Sequence, residues 1–224
     1  MLAGGFGQRL APLTTRVPKV LAPAHGRPFL DYQLEQLRRQ GFESVLLLVG
    51  HLGSQIEARY GGGTAFTPRI TYAVDDPPRG TLGALSSART LLDQAFLLLN
   101  GDTYLDLDLQ QVAGAASGAQ VEATVVASPP AGAPPNLRVA DEKVTAYRKE
   151  GLAEGTHVAA GAVVIRRSTI ELTPAATRDQ GSLEDDVLPR LAAAGRLGAF
   201  VTTAPYFDIG TPGGLAAFER YLGR

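Results

Sequence analysis

Short, uninterrupted apolar runs are spaced along the first half of the chain. Three of them, SVLLLV (44–49), ITYAV (70–74) and AFLLLN (95–100), have the length and composition of strands that are buried on both faces. Helical patterns at 52–60 and 81–93 lie between these runs. The alternation predicts βαβ units and a parallel sheet with helices on both sides.

The remaining segments alternate less regularly and include more predicted strands. Pro28 opens a helix that Gly41 ends, and Ser182 with Asp185 has the spacing of a helix-capping box. The other predicted elements are strands at 121–127, 158–165 and 199–203, a hairpin over 137–148 that turns near Asp141 and Glu142, and a final helix that begins at Pro212 after Thr211. Together these patterns predict one α/β domain over residues 1–224 with a smaller β-rich lobe.

The composition narrows the class of protein. The chain has 224 residues, is 45% hydrophobic, carries a formal net charge of −1 and contains no cysteine. We therefore expect no nucleic-acid partner bound through bulk positive charge, no disulfide and no thiolate metal site. The sequence contains no long apolar span and no secretory leader pattern, so we expect a cytoplasmic protein without a membrane partner. The oligomeric state is left open, and a homo-oligomer is one option.

The stretch LAGGFGQRL (2–10) is the first candidate site. Gly4, Gly5 and Gly7 would let backbone N–H groups approach an anion, and Arg9 offers a planar fork for phosphate oxygens. A tight strand-to-helix turn explains the same glycines equally well. The dinucleotide-binding fingerprint does not fit, because a leucine stands where its last glycine should be.

A lysine and two aspartates are the next candidates. Lys19 lies in VPKVLAP, where prolines would stiffen the chain around it, and an exposed loop lysine explains the position equally well. Asp102 follows the apolar run in LLLNGDT, at the edge where open α/β sheets bind ligands, and Asp208 in YFDIGT follows apolar residues in the same way. Two such carboxylates could share one Mg²⁺ ion. Asp106 and Asp108 resemble a glycosyltransferase metal motif, but capping of the following helix is the expected role.

Taken in order, LAGGFGQRLAPLT, PKVLAP, NGDT and FDIGTP resemble the sugar-1-phosphate nucleotidyltransferases almost end to end. The resemblance implies a Rossmann-like α/β fold with a mixed, mostly parallel sheet, a nucleotide-binding part at about 1–110 and a β-rich, sugar-binding part at about 111–224. It implies that the glycine loop, the arginine and the lysine bind an NTP and that the two aspartates bind Mg²⁺. The residues given these roles are Leu2, Gly4, Gly5, Gly7, Arg9 and Lys19 for the nucleotide, and Asp102 and Asp208 for the metal, with Arg9, Lys19 and Asp102 also catalytic.

Within this family the chain most resembles the D-glycero-D-manno-heptose 1-phosphate guanylyltransferases. The stretch DDPPRGTLGA resembles the base-reading loop of the family, which assigns Asp75, Gly80 and Thr81 to the nucleotide. A carboxylate only accepts hydrogen bonds, which suits the N1–H and N2–H₂ donors of guanine, so GTP is the expected nucleotide. The alternative is that Asp75 and Asp76 merely end a strand.

The sugar side departs from the family pattern. Relatives carry a glutamate and then a lysine after an aromatic residue, whereas here Tyr147 is followed by Arg148, Lys149 and Glu150. The Asn-Gly-Gly of relatives is replaced by a sequence that ends in Gly161. We take Lys149, Glu150 and Gly161 as the candidates for binding the sugar.

The leading hypothesis is an enzyme that joins GTP and a sugar 1-phosphate, D-glycero-D-manno-heptose 1-phosphate or mannose 1-phosphate, into a nucleotide sugar and pyrophosphate. One alternative is a catalytically silent module that binds nucleotide sugars and serves regulation. Another is a metal-dependent glycosyltransferase that uses Asp106 and Asp108.

Overall fold

The computed structural model describes residues 1–5, 7–10, 13–64, 67–115, 121–130, 132–173 and 180–223, with only the backbone of residues 8 and 13. The described strands are β1 (Pro23–Ala24), β2 (Arg27–Pro28), β3 (Ser44–Val49), β4 (Arg69–Val74), β5 (Ala95–Leu99), β6 (Thr103–Leu105), β7 (Ala123–Ser128), β8 (Leu137–Ala140), β9 (Lys143–Tyr147), β10 (Val158–Arg166), β11 (Leu197–Val201) and β12 (Tyr206–Asp208). The described helices are α1 (Phe29–Arg39), α2 (Gly53–Tyr60), α3 (Gly80–Ser87), α4 (Leu109–Gly114), α5 (Arg167–Glu171), α6 (Leu188–Ala193) and α7 (Pro212–Leu222).

The chain forms two compact units, each assembled from separate segments. The first contains Met1–Pro78, Asn100–Asp106 and Pro205–Arg224, and the second contains Arg79–Leu99 and Leu107–Ala204. The predicted division near residue 110 is sequential, whereas these units are not. The prediction of one domain over residues 1–224 stays a prediction.

The first unit contains one parallel strand pair, and the start of the chain runs parallel to one of its strands. β3 and β4 pair in parallel from Ser44 opposite Arg69 to Val49 opposite Val74, as predicted. The prediction that both faces are buried is wrong for β4, in which Val74 is 61% exposed. Leu2 forms parallel bridges with Leu48 and with Asn100. The carboxyl ends of these segments therefore come to one edge.

A cluster of aromatic rings forms a hydrophobic core within this unit. Phe218 on α7 is fully buried, and its ring centroid lies 5.0 Å from that of Phe29, 5.4 Å from that of Tyr32 and 5.1 Å from that of Tyr104. Thr211 caps α7 by accepting a hydrogen bond from the backbone of Gly214, which confirms the predicted helix start. The packing holds α1, β6 and α7 together.

The second unit is built on a six-stranded sheet in the order β5-β10-β7-β11-β9-β8. β7 and β11 pair in parallel, and the other neighbours are antiparallel. The sheet is therefore mixed, as predicted, but it is mostly antiparallel and not mostly parallel. The predicted hairpin is confirmed: Asp141 and Glu142, between β8 and β9, both have positive φ angles, 48° and 58°. Positive φ at both central residues is the requirement of a type I′ hairpin turn.

Two predicted helices differ from the structure. Segment 81–93 is helical only as α3 and as a short 3₁₀ turn at Arg89–Leu91. The segment after Ser182 begins as a π-helix, Leu183–Val187, before α6. Pro189 explains this second difference, because it has no N–H to donate to the carbonyl four residues earlier and the α-helical ladder cannot run through it. Among the residues that the structure describes, no helix is long and apolar enough to cross a membrane.

We expect Phe218→Ala to lower the free energy of unfolding by about 3–5 kcal/mol, since it removes the central ring of the aromatic cluster and leaves a cavity. Leu172→Ala is the control, because Leu172 is 82% exposed and its loss should change stability by less than about 0.5 kcal/mol. Urea unfolding followed by far-UV circular dichroism measures both. Equal stability of the two variants would contradict the assigned role of the cluster.

Candidate active site

The glycine loop begins directly after the bridge at Leu2. The backbone N–H of Ala3 donates to the carbonyl of Leu48 at 2.8 Å, so the loop starts at a fixed point. A Cβ on Gly4 would lie 3.1 Å from the backbone nitrogen of Gly50, and Gly7 has a φ of +63°. A Cβ on Gly5 would meet no atom within 4 Å. Gly4 and Gly7 are therefore needed by the turn itself, while the space beside Gly5 is open.

Lys19 and Asp102 form an ion pair at the carboxyl edge of the first unit. The Lys19 ammonium donates to Oδ2 of Asp102, and the two side chains are only 12% and 24% exposed. Pro18 precedes the short 3₁₀ turn that carries Lys19. Gly101 brings Asp102 close to the chain start, since its N–H donates to the carbonyl of Leu2 at 2.9 Å and a Cβ there would overlap that oxygen.

The second aspartate is placed beside the first by backbone pairing. β12 pairs antiparallel with β6, so that Asp208 lies opposite Thr103, the residue after Asp102. The N–H of Ile209 donates to the carbonyl of Asp102 at 2.9 Å. The register of these strands therefore brings together the two aspartates for which the sequence resemblance predicts a shared role.

Arg9 completes the charged cluster, which we define as Arg9, Lys19, Asp102 and Asp208. Its guanidinium lies 3.7 Å from Oδ2 of Asp208, and its side chain is 64% exposed. A Cβ built on Gly210 would lie 2.7 Å from a guanidinium nitrogen of Arg9, 2.7 Å from the Lys19 ammonium and 2.6 Å from Oδ1 of Asp208. Both cations and one carboxylate therefore surround Gly210, which the sequence analysis did not select.

The carboxylates of the cluster suit a divalent ion. Oδ1 of Asp102 accepts a hydrogen bond from the Thr103 hydroxyl at 3.2 Å, and Oδ1 of Asp208 accepts from the N–H of Gly210 at 2.6 Å. Mg²⁺ is typically bound by one or two carboxylates together with phosphate oxygens and water. Within the described ranges, no three His, Asp or Glu side chains lie together as a metal site.

Asp75 directly follows β4, as predicted. Its backbone N–H donates to the carbonyl of Val49 at 2.8 Å, and the residue is buried, with 7% exposure. Its neighbour Asp76 is exposed. The end of β4 therefore carries one buried and one exposed aspartate.

Gly80 and Thr81, in the second unit, are held by the segment around Gly181. Gly80 has a φ of +80°, and a Cβ there would overlap the carbonyl of Gly181. The Thr81 hydroxyl accepts a hydrogen bond from the N–H of Leu183 at 2.7 Å and donates to Oε2 of Glu184 at 2.9 Å. This hydroxyl is thus used within the protein, so a nucleotide contact from here would come from the backbone.

The three sugar-side candidates have different settings within the second unit. The Lys149 ammonium lies 3.1 Å from Oδ2 of Asp185, while Glu150 is exposed. Partial burial opposes the charged form of Lys149, but the hydrogen bond to Asp185 and nearby carboxylates outweigh it and raise the pKa of Lys149. Gly161, with a φ of +77°, lies in β10 where the register with β7 shifts.

Burial is the main cause of a raised pKa at Tyr147, the aromatic residue that precedes Lys149. The charges of Glu184 and Asp185 add to the effect. The phenol therefore stays protonated at neutral pH. From the sequence, Asp185 is predicted only as part of a helix cap, and no functional role is predicted for Glu184.

The alternative metal motif is used differently. Asp108 caps α4, because its Oδ1 accepts a hydrogen bond from the N–H of Gln110 at 2.9 Å, which confirms the predicted cap. Asp106 interacts with the hydroxyl of Tyr221, whose pKa is raised to about 12 by burial first and then by that hydrogen bond. Both carboxylates thus have structural partners.

The chain is similar in sequence to known nucleotidyl transferases. Residues 1–135 match the family model described as nucleotidyl transferase. The chain is 26% identical over 215 residues to the D-glycero-alpha-D-manno-heptose 1-phosphate guanylyltransferase of Aneurinibacillus thermoaerophilus, with 95% of this chain and 92% of that relative covered. It is 30% identical over 221 residues to the mannose-1-phosphate guanylyltransferase of Mycobacterium tuberculosis, with 95% of this chain but only 60% of that relative covered.

A solved structure agrees in fold over nearly the whole chain. It is HddC from Yersinia pseudotuberculosis complexed with GMP-PN, with a TM-score of 0.84, 25% identity, and coverage of 99% of this chain and 97% of that one. The predicted Rossmann-like α/β fold is thereby confirmed. The chain belongs to the nucleotidyl transferase family, as a sugar-1-phosphate nucleotidyltransferase.

Proposed function

We propose that the protein transfers a nucleotidyl group from an NTP, with GTP favoured, to a sugar 1-phosphate, and that it releases pyrophosphate and an NDP-sugar. One observation carries the proposal: two cations and a carboxylate converge around Gly210, and the second carboxylate is bonded to one of those cations. A site with balanced charges of both signs suits a polyphosphate that arrives with a divalent ion.

The chemistry requires positioning more than proton transfer. An oxygen of the sugar phosphate attacks the α-phosphorus of the NTP, and the bond from that phosphorus to the β-phosphate oxygen breaks, so that pyrophosphate leaves. The attacking oxygen is already ionised at neutral pH, and no protein base is needed. The residues therefore act by orienting the reactants and by offsetting charge.

The charged cluster divides these tasks. We assign Arg9 and the backbone of the glycine loop to the departing pyrophosphate, since the exposed guanidinium offers a fork of N–H donors. Lys19 is assigned to the α-phosphate or the sugar phosphate. Its ammonium has three donors, and Asp102 takes one of them.

Asp102 and Asp208 are the residues that would hold Mg²⁺. The bound ion would supply positive charge that offsets the developing charge on phosphate oxygens. The same two carboxylates form ion pairs with Lys19 and Arg9.

For the base, the proposal is guanine. The buried carboxylate of Asp75 can only accept hydrogen bonds when ionised, and guanine presents two adjacent N–H donors. For the sugar, the names of the two guanylyltransferases above support D-glycero-D-manno-heptose 1-phosphate or mannose 1-phosphate. Lys149, Glu150 and Gly161 are the proposed sugar-side residues.

Asp102→Asn should lower the rate of pyrophosphate release by about 10²–10³-fold, the usual cost of removing one preorganised charge contact at a reacting phosphate. The matched control is Asp108→Asn, because asparagine caps a helix as well as aspartate and activity should be unchanged. Melting curves verify folding of both. Near-normal pyrophosphate release by Asp102→Asn would contradict the role assigned to Asp102.

Gly210→Ala should lower kcat/KM on the order of 10²-fold, since the added methyl group displaces the ends of Arg9 and Lys19 by enough to misplace bound phosphates. Gly213→Ala is the control on the next helix, α7, because a Cβ there meets nothing within 4 Å. Alanine favours a helix, so this control should keep its activity and melt at the same or a higher temperature. Equal activity of the two variants would remove Gly210 from the site.

The nucleotide is tested with GTP, UTP, CTP, ATP and dTTP, each paired with a panel of sugar 1-phosphates that includes mannose and D-glycero-D-manno-heptose. We expect release with GTP, and an Asp75→Asn variant should lose about tenfold or more in kcat/KM for GTP, since an amide cannot accept at both positions. Asp76→Asn, one residue further and exposed, should not.

Two outcomes of this panel would contradict parts of the proposal. Preference for another nucleotide would keep the reaction and reject the role of Asp75. Release with no pair, from a folded protein that still binds nucleotide in a calorimeter, would favour the silent binding module.

A further inference from the structure

The π-helical turn Leu183–Val187 is an unusual element within the second unit. π-helices are rare, and they are frequent at functional sites. This one is fixed at its start, because the Ser182 hydroxyl accepts from the N–H of Asp185 at 3.1 Å and the N–H of Ser182 donates to Oδ2 of Asp186 at 2.8 Å. Two carboxylates, Glu184 and Asp185, project from the turn as neighbours in sequence.

Glu184 is bonded toward the start of α3. Its Oε2 accepts hydrogen bonds from the Thr81 hydroxyl at 2.9 Å and from the Ser182 hydroxyl at 3.1 Å. Backbone contacts reinforce the connection, since the N–H of Leu82 donates to the carbonyl of Gly181 at 3.0 Å. The segment with the predicted nucleotide residues Gly80 and Thr81 is therefore held by the π-helical turn.

Asp185 is bonded to the sugar-side lysine. Its Oδ2 lies 3.1 Å from the Lys149 ammonium, and both side chains are about half exposed, at 52% and 47%. An exposed pair of this kind contributes little to stability, so its effect is mainly on where the ammonium lies. Two of the three N–H donors remain for a phosphate oxygen.

We propose that Glu184 and Asp185 are positioning residues, which hold the nucleotide-side segment at Thr81 and the sugar-side Lys149 in a fixed relation through one π-helical turn. The inference rests on the proposed function for the substrates involved. Neither carboxylate needs to touch a substrate. Each acts through the residue that it binds, and the two carboxylates are adjacent residues of one capped turn.

The test is a comparison of KM values for the two substrates. Asp185→Asn should raise KM for the sugar 1-phosphate about tenfold, the loss expected for one weakened charged hydrogen bond, and leave KM for GTP within about twofold. Glu184→Ala should do the reverse, because it releases the Thr81 hydroxyl. Asp93→Asn, an exposed carboxylate elsewhere in the same unit, is the control and should change neither KM.

Two further measurements exclude a merely structural explanation. Asp185→Glu retains the carboxylate and should restore most of the affinity for the sugar 1-phosphate, and calorimetric titration of each substrate alone should reproduce the opposite effects. If both variants raise both KM values equally, or change only the melting temperature, the positioning role is wrong although the wild type is active. A wild type that releases no pyrophosphate with any pair contradicts the proposed function itself, and this inference with it.

Discussion

The charged cluster depends on one short antiparallel strand pair. Because β6 and β12 set Asp208 opposite Thr103, the two carboxylates occupy neighbouring positions that their distance in sequence would not suggest. Like charges so placed repel each other unless cations lie between them. Lys19 and Arg9 provide that compensation, and each belongs to a short 3₁₀ turn rather than to a long helix. The local balance of charge thus follows from a ladder of three residue pairs.

Glycine is the second requirement of this arrangement, and for two different reasons. Gly101 and Gly210 are needed because other atoms already occupy the space of a side chain: the carbonyl of Leu2 in one case and charged side-chain ends in the other. Gly5, in contrast, has open space beside it. The tight turn therefore explains Gly4 and Gly7, and the space beside Gly5 is where the proposed anion site has room.

Much of this could be predicted from the sequence, and the exceptions have physical causes. The strands β3, β4 and β5 and the helix α1 lie within one residue of their predicted positions. The apolar runs of the strands are unbroken, and Pro28 and Gly41 mark the two ends of the helix. The π-helical turn could not be predicted from periodicity, since Pro189, in the first turn of α6, prevents one continuous α-helical ladder from Leu183. Gly210 and Glu184 could not be selected from the sequence, because the residues that they contact are distant in the chain. Gly210 lies beside the ends of Arg9 and Lys19, and Glu184 accepts a hydrogen bond from Thr81.

The reversed order of Lys149 and Glu150 acquires a physical meaning from these contacts. In the family pattern a carboxylate stands next to the lysine in sequence, whereas here the carboxylate bonded to the lysine comes from Asp185. The proposed sugar side thus has a lysine, Lys149, paired with a carboxylate. That carboxylate, Asp185, lies on the turn that also holds Thr81. A change in that turn would be felt at both segments, because the hydrogen bonds to Thr81 and Lys149 are made by adjacent residues of one short, capped element. The departure from the family pattern is therefore a change in how the lysine is held, and not a loss of charge.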